Sequence, residues 1–177
     1  MRFIGADDIR RVLNFPALIA ALDDAHRRPP MEVQDGFLGS EGEQYFVRHA
    51  VDRGRSMASK LITSFPANLA KGVLPAVQAV CVLFDGTDGR PLAVLDGTEI
   101  TAWRTAADSA LGARYLAPAA PETLLVVGAG VMSRWLVRAH RTVRPSIRRV
   151  LVWNRTAARA AEVAATLTRE GIAADAA

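Results

Sequence analysis

The sequence contains one cysteine, Cys81, among its 177 residues. A single thiol cannot form an internal disulfide, which argues against a small disulfide-stapled secreted domain and makes a reducing cytoplasm the expected compartment. Aromatic residues make up only 6% of the chain, and no apolar run approaches the roughly 20 residues that a membrane helix needs. We therefore expect a cytoplasmic globular protein without a membrane partner.

Charged residues are also few, at 23%, and the net charge is +4. The densest basic stretch includes Arg134, Arg138 and Arg141, which recur at helical spacing opposite apolar residues. No aromatic side chains interleave with them in the pattern that stacks on nucleic-acid bases. The stretch is typical of a solvated helix face, and no nucleic-acid partner is expected.

The first part of the chain changes from helical to strand periodicity. Asp7 and Asp8 are placed to cap a short helix through residue 13. Asn14 or Phe15 lies near the cap of a second helix, which ends at two prolines. Short apolar runs then predict a mostly antiparallel sheet with helices on one side, formed by strands at residues 45–51, 57–65, 76–84 and 90–95.

A long helix and a proline-rich linker follow the sheet. Thr98 is placed to cap a helix that runs to about residue 116, with Glu99 in the first turn, where the helix dipole favours an acid. Pro118 and Pro121 mark the expected domain boundary. After it the periodicity predicts strand, helix, strand and helix at residues 123–127, 131–143, 149–153 and 156–170.

The turn after the first of these strands carries a glycine pattern, since the apolar run LLVVGAG ends in Gly128 and Gly130. The first glycine permits a tight strand-to-helix turn, and the second lets the backbone approach a pyrophosphate. The phosphates would rest on the N–H groups at the helix start, at Val131 and Met132. Ser133 is small enough for the close helix–strand packing required at the third position. The pattern predicts a dinucleotide site.

The second strand ends in VLVWNRT, where such a site distinguishes its cofactors. A site for NAD usually places Asp or Glu here, on the ribose hydroxyls. This chain has Asn154, Arg155 and Thr156 instead. An amide, a guanidinium and a hydroxyl can bind a 2′-phosphate, which a carboxylate would repel. NADP(H) is therefore favoured, with NAD(H) also possible.

These elements predict an α/β fold class. A mixed α+β domain at residues 1–117 is followed by the start of a Rossmann-type NAD(P)-binding domain at residues 118–177. Two strands and two helices cannot enclose a dinucleotide. We therefore expect a truncated Rossmann domain, as in the front part of a longer protein.

Two cations in the first domain stand at unusual positions. Lys60 lies within an apolar strand, and Arg104 lies beside the buried face of the long helix. Cations in such surroundings need partners. A small anionic substrate could supply one.

The chain resembles the ornithine cyclodeaminase/mu-crystallin family over essentially its whole length. The motifs are Lys60 with Pro66 and Asn68, the run LFDGTDGRPLAVLDGTEIT, RTAA from Arg104, and GAG followed by WNRT. The family includes ornithine cyclodeaminases, alanine dehydrogenases and reductases of cyclic imino acids such as pyrroline- and piperideine-2-carboxylate. The resemblance implies that residues 1–117 bind the substrate and pair into a homodimer.

The resemblance also implies roles for individual residues. Lys60 and Arg104 are expected to be catalytic and to bind the substrate, the lysine near the reacting carbon and the arginine on the carboxylate. Arg104 and Thr105 are expected beside the cofactor. A further carboxylate-binding arginine of the family has no aligned counterpart here, and Arg48 and His49 are the alternatives.

The leading interpretation is an NADPH-dependent reductase of a cyclic imino acid. One alternative is an ornithine cyclodeaminase, which converts ornithine to proline plus ammonia and reduces and reoxidises bound NAD in one turnover. Another is a non-catalytic NADP-binding protein or an inactive fragment. No metal is expected in any of these cases.

Overall fold

The computed structural model describes residues 1–72 and 74–177. It contains the following elements in chain order: β1(Arg2–Ile4), α1(Ala6–Val12), α2(Phe15–His26), β2(Glu32–Ser40), β3(Glu43–Asp52), β4(Ser56–Ser64), α3(Ala67–Lys71), β5(Val77–Asp85), β6(Pro91–Asp96), α4(Gly97–Leu116), β7(Thr123–Val127), α5(Met132–Val143), β8(Arg149–Trp153), α6(Ala157–Arg169) and β9(Ala174–Ala176).

The chain folds into two compact units. The first unit comprises residues 1–13 and 28–101, and the second comprises residues 14–27 and 102–177. These units are divided differently from the functional domains expected at residues 1–117 and 118–177. The assignment of substrate binding to residues 1–117 and of cofactor binding to residues 118–177 stays a prediction.

The first unit is built on a six-stranded sheet in the order β1-β6-β5-β4-β3-β2. Its pairs are antiparallel except for the parallel pair of β1 and β6, so the mostly antiparallel prediction is confirmed. The four predicted strands correspond to β3, β4, β5 and β6. Neither edge strand, β1 nor β2, was predicted.

The start of α4 is pressed against β5. A Cβ added to Gly97 would lie 2.7 Å from the carbonyl carbon of Ala79. This is closer than real Cβ atoms approach other atoms, so the position requires glycine. The predicted Thr98 cap is wrong, because the Thr98 hydroxyl accepts the Ala79 N–H at 2.9 Å. Asp96 does the capping, since its carboxylate accepts the Glu99 N–H at 2.8 Å.

The predicted capping of α1 also needs correction. Gly5 is the N-cap residue, and Asp8 stands three residues inside the helix boundary. The Asp8 carboxylate accepts the Gly5 N–H at 3.2 Å, as an acid in a capping box does. The prediction for α2 is confirmed, because the Asn14 side chain accepts the Ala17 N–H at 3.0 Å.

The second unit contains a parallel sheet in the order β7-β8-β9. The expectation of two strands is therefore wrong, since β9 adds a third beside β8. One face of this sheet packs under α5 and α6, with fully buried Val137, Val150, Val152 and Leu167 at its centre. Exposed apolar side chains, Leu125, Val127 and Trp153, alternate with the buried ones along β7 and β8.

A second core of the same unit joins α2, α4 and α5. Phe15 packs against Trp103, with ring centroids 4.7 Å apart, and Trp103 packs edge-on against Trp135 at 5.1 Å. Ile19 is fully buried in the same cluster. The small residues Ala106, Ala107 and Ala110 let the helices approach closely. This packing explains why α2 belongs to the second unit.

Candidate functional site

The glycine turn is tied to the end of the neighbouring strand. Gly128 has φ +112°, a backbone conformation that side chains rarely adopt. Its N–H donates to the Trp153 carbonyl oxygen at 2.7 Å, beyond the last pair of the β7–β8 ladder. The predicted tight turn after β7 is therefore present, and it lies at the carboxyl edge of a parallel sheet, where open α/β sheets bind ligands.

Gly130 is a glycine that the protein's own packing does not require. It is exposed, and a Cβ added there would meet no atom within 4 Å. Unlike Gly128, it has no positive φ. A glycine that neither packing nor backbone conformation demands fits close approach by a ligand, and α5 begins two residues later with the unpaired N–H groups of a helix start. The turn thus fits a pyrophosphate.

Ser133 occupies the third position of the motif and is 3% exposed. Its hydroxyl donates to the Gly130 carbonyl oxygen at 2.6 Å, which satisfies the one polar group that the side chain buries. Serine therefore meets the requirement for a small residue and also closes the turn. Of the two residues before it, Val131 is exposed, whereas the Met132 side chain packs against the core of α2, α4 and α5.

The three residues after β8 fall into two groups. Asn154 connects two main-chain segments, a link that we call the Asn154 clasp, whereas the next two residues are exposed. The Asn154 side chain contacts two backbone groups, the Ala129 N–H at 3.3 Å and the Thr156 carbonyl oxygen at 3.0 Å. Arg155 and Thr156 are exposed. In the part of the chain that the structure describes, no hydrogen bond or ion pair holds the Arg155 guanidinium. It is a cation placed next to the glycine turn.

Sequence reasoning placed Arg134 only on a solvated helix face. The structure places it also in an open cavity of about 290 Å³ beside the glycine turn, together with Gly130, Glu162 and Thr166. The signal available in the sequence was its position four residues after Gly130, in the first turn of α5.

Lys60 lies in the middle of the six-stranded sheet, in the first unit. It is opposite Cys81 of β5 and opposite Arg48 of β3, so the three side chains share one face of the sheet. Burial raises the pKa of the Cys81 thiol, and the positive charge of Lys60 offsets part of that rise. A thiol with a raised pKa is a poor nucleophile at neutral pH, which agrees with a structural role for Cys81.

Arg48 and His49 point to opposite faces of the sheet. Arg48 shares the face of Lys60 and forms a two-pronged ion pair with Asp35, at 2.7 Å from Nε and 2.6 Å from Nη2. This hydrogen bonding holds the pKa of Asp35 below its usual value. His49 instead bonds the Ser59 hydroxyl at 2.8 Å on the other face. Of the two alternatives, Arg48 is the one beside Lys60.

Arg104 and Thr105 belong to the second unit, on α4. The Arg104 guanidinium lies 3.2 Å from a carboxylate oxygen of Asp108, one turn along the helix. The other Asp108 oxygen is 3.5 Å from Nε2 of His26 on α2. Both Arg104 and Asp108 are about 40% exposed, so this pair is open to solvent and to exchange with a ligand carboxylate.

Within residues 1–72 and 74–177, no helix is long and apolar enough to cross a membrane. No group of three or more His, Cys, Asp or Glu side chains in those residues is arranged to hold a metal ion.

The profile of one protein family matches residues 45–177. The chain belongs to the ornithine cyclodeaminase/mu-crystallin family. The resemblance of its motifs to that family is thereby confirmed.

Members of the family with assigned names include reductases. The chain is 38% identical to the Delta(1)-pyrroline-2-carboxylate reductase of Paracoccus denitrificans over 174 residues, which cover 98% of this chain and 54% of the relative. It is 31% identical to the ketimine reductase mu-crystallin of Rattus norvegicus over 182 residues, covering 93% of this chain and 56% of that one. The chain thus spans about half the length of the curated relatives it matches.

A solved structure of the family has the same fold. It is the Delta(1)-pyrroline-2-carboxylate reductase of Thermococcus litoralis in complex with NADH and L-proline. The two align with a TM-score of 0.88 and 27% sequence identity, over 100% of this chain and 57% of that one. The mixed α/β fold class predicted from the sequence is confirmed.

Proposed function

We propose that this chain is part of an NADPH-dependent reductase of cyclic imino acids, of the pyrroline- or piperideine-2-carboxylate type. The observation that carries the proposal is the glycine turn clasped to the end of β8, with Gly130 open and the Arg155 cation beside it. The names of the relatives in Paracoccus, Rattus and Thermococcus support reduction of a carbon–nitrogen double bond.

The cofactor is held by two parts of the second unit. Main-chain N–H groups at Gly130, Val131 and Met132 receive the pyrophosphate at the start of α5. Arg155 and Thr156 bind the 2′-phosphate, the guanidinium through paired hydrogen bonds. NADH is the second candidate, because the structure from Thermococcus litoralis contains it.

The substrate is held by cations. In the first unit, Arg48 and Lys60 on one face of the sheet are the candidates for its carboxylate. In the second unit, Arg104 is a further candidate for a carboxylate, and Thr105 is its neighbour on α4 and a candidate for the cofactor. When bound, a reduced nicotinamide supplies a hydride to the imine carbon. The Lys60 ammonium delivers a proton to the ring nitrogen, so that the carbon–nitrogen double bond becomes an amine.

Assembly is proposed to be a homodimer in the cytoplasm, formed through the first domain. Support comes from β2, an edge strand whose nine residues are all exposed and which carries the apolar residues Val33, Phe37 and Leu38. An exposed edge with apolar side chains is suited to pairing with another copy. Sedimentation equilibrium should give twice the mass of the chain, and a monomer at all concentrations would contradict this.

The activity is tested by adding pyrroline-2-carboxylate and NADPH to the protein that contains this chain and following absorbance at the reduced nicotinamide band. We expect NADPH loss with formation of an equal amount of proline, and loss of this activity in Lys60→Met and Arg104→Met. Proline and ammonia formed from ornithine would instead identify a cyclodeaminase. NADPH binding without any turnover would identify a non-catalytic binding protein.

A further inference from the structure

The Asn154 side chain makes one hydrogen bond to the main chain at each end of its amide. Its Oδ1 accepts the Ala129 N–H at 3.3 Å, and its Nδ2 donates to the Thr156 carbonyl oxygen at 3.0 Å. Because one partner can only donate and the other can only accept, the orientation of the amide is determined. The sequence placed Asn154 among the groups that bind the cofactor, but both ends of its amide already have protein partners.

These bonds connect three segments of the cofactor site. Ala129 is the middle residue of the glycine turn, and Thr156 is the residue from which α6 begins. Gly128, next to Ala129, donates to the Trp153 carbonyl oxygen at 2.7 Å. Two successive N–H groups of the turn are thus held by the end of β8, in a segment whose glycines would otherwise leave it mobile.

We propose that Asn154 is a positioning residue that sets the shape of the glycine turn and does not distinguish NADP from NAD. This proposal rests on the proposed cofactor site and deepens it. Discrimination at the ribose 2′ position then falls to Arg155 and Thr156, which are exposed. One amide holds both the phosphate-binding turn and the segment that reads the 2′ position.

The proposal contradicts the general expectation for this position. An aspartate at the end of the second strand usually favours NAD through the ribose hydroxyls. In Asn154→Asp, however, one carboxylate oxygen would take the place of Nδ2, 3.0 Å from the Thr156 carbonyl oxygen. Two acceptors would face each other there, and the clasp between the turn and α6 would open.

The test compares affinities for NADH and NADPH by fluorescence titration of the protein that contains this chain. Asn154→Ala should weaken both cofactors alike, by about tenfold, the size of one net hydrogen bond. Asn154→Asp should weaken NADH as well, whereas an aspartate that bound the ribose hydroxyls would strengthen NADH binding. Arg155→Ser should weaken NADPH alone by a similar factor. Arg159→Ser removes the same charge four residues later, in the first turn of α6, and is the matched control, expected to change neither affinity.

A second readout follows the turn itself. Hydrogen exchange of the Ala129 amide should be slow in the wild-type chain and faster in Asn154→Ala, with thermal unfolding used to confirm that the variant folds. A general structural defect would speed exchange throughout the second unit, whereas loss of the clasp would act on the turn.

Three results would overturn the proposal. They are tighter binding of NADH by Asn154→Asp than by the wild type, unchanged affinities in both Asn154 variants, and unchanged Ala129 exchange in Asn154→Ala. If the wild-type protein that contains this chain binds neither cofactor, the proposed function fails, and the role of Asn154 in holding the turn is then decided by the exchange measurement alone.

Discussion

Arg48 on β3 and Lys60 on β4 are directly opposite each other in the antiparallel ladder, so two cations share one face of the sheet. Like charges in this arrangement destabilise a strand pair. Asp35 on the next strand offsets part of the repulsion through its paired hydrogen bonds to Arg48. An anion bound beside these two side chains would be attracted to both, which gives this face of the sheet a physical reason to bind a carboxylate.

Replacing the Arg48 guanidinium should therefore weaken substrate binding and leave cofactor binding unchanged. We expect Arg48→Met to raise the KM for pyrroline-2-carboxylate by about tenfold or more, as loss of a charge-assisted hydrogen bond does. The Kd for NADPH should not change. Arg53→Met is the matched control, because Arg53 directly follows β3 and forms an ion pair with Glu32 on β2. Equal KM values for the two variants would contradict the assignment.

The buried carboxylate of Glu99 should stabilise the first unit. Glu99 is 7% exposed and accepts a hydrogen bond from Nη2 of Arg10 at 2.7 Å. Glu99→Gln removes the charge at nearly constant volume, so the free energy of unfolding should fall by about 1–3 kcal/mol in denaturant titration. Glu41→Gln, in an exposed turn, should have no effect. A fall of similar size in both variants would show that the ion pair contributes nothing specific.

His140 should make stability depend on pH below about 6.5. Burial lowers its pKa below the ordinary value of 6.5, and its Nε2 lies 3.0 Å from the Ser109 hydroxyl. The unfolded chain therefore takes up a proton first as pH falls, so stability is lost below pH 6.5 until the lower folded pKa is passed. Urea titrations at several pH values should show this slope.

The matched comparison for His140 uses a second histidine. His140→Gln should flatten the slope, and His26→Gln, on the exposed side of α2, should retain it. Retention of the full slope in His140→Gln would assign the effect to another group.

Ser133 tests how much room the third motif position has. Ser133→Ala removes the hydrogen bond to the Gly130 carbonyl and should cost about 1 kcal/mol of stability, with NADPH affinity nearly unchanged. Ser133→Leu should force α5 away from the sheet and lower both stability and affinity, because overpacking a buried site typically costs about 1–3 kcal/mol. Tight NADPH binding by the leucine variant would show that close packing here is not required.

The strands that could be predicted are those whose own sequence alternates or is continuously apolar. The run AVCVLF predicts β5, and LLVV predicts β7. By contrast, β2 contains Gly36, Gly39 and Asp35, which have low strand propensity, and all nine of its residues are exposed. It is a strand because β3 supplies its hydrogen bonds. The third parallel strand, β9, is only three residues long and exists for the same reason.

In the candidate site, too, features formed by consecutive residues could be predicted, and contacts between residues far apart in sequence could not. The glycine turn was predictable because its residues are consecutive and flanked by apolar strand and helix. The Asn154 clasp joins residues 25 positions apart, and no local sequence pattern predicts it. The face shared by Arg48 and Lys60 depends on the β3–β4 register, and a shift of one residue would have put Lys60 on the opposite face.

Trp153 is an intrinsic fluorescent reporter at the edge of the proposed nucleotide site. Its indole is 48% exposed, whereas the other two tryptophans pack against each other and Phe15. Water-exposed indoles emit at longer wavelengths than buried ones, so the red side of the emission spectrum reports mainly on Trp153. Its own carbonyl holds Gly128, and quenching on that side of the spectrum would register a ligand entering the turn without any need for turnover.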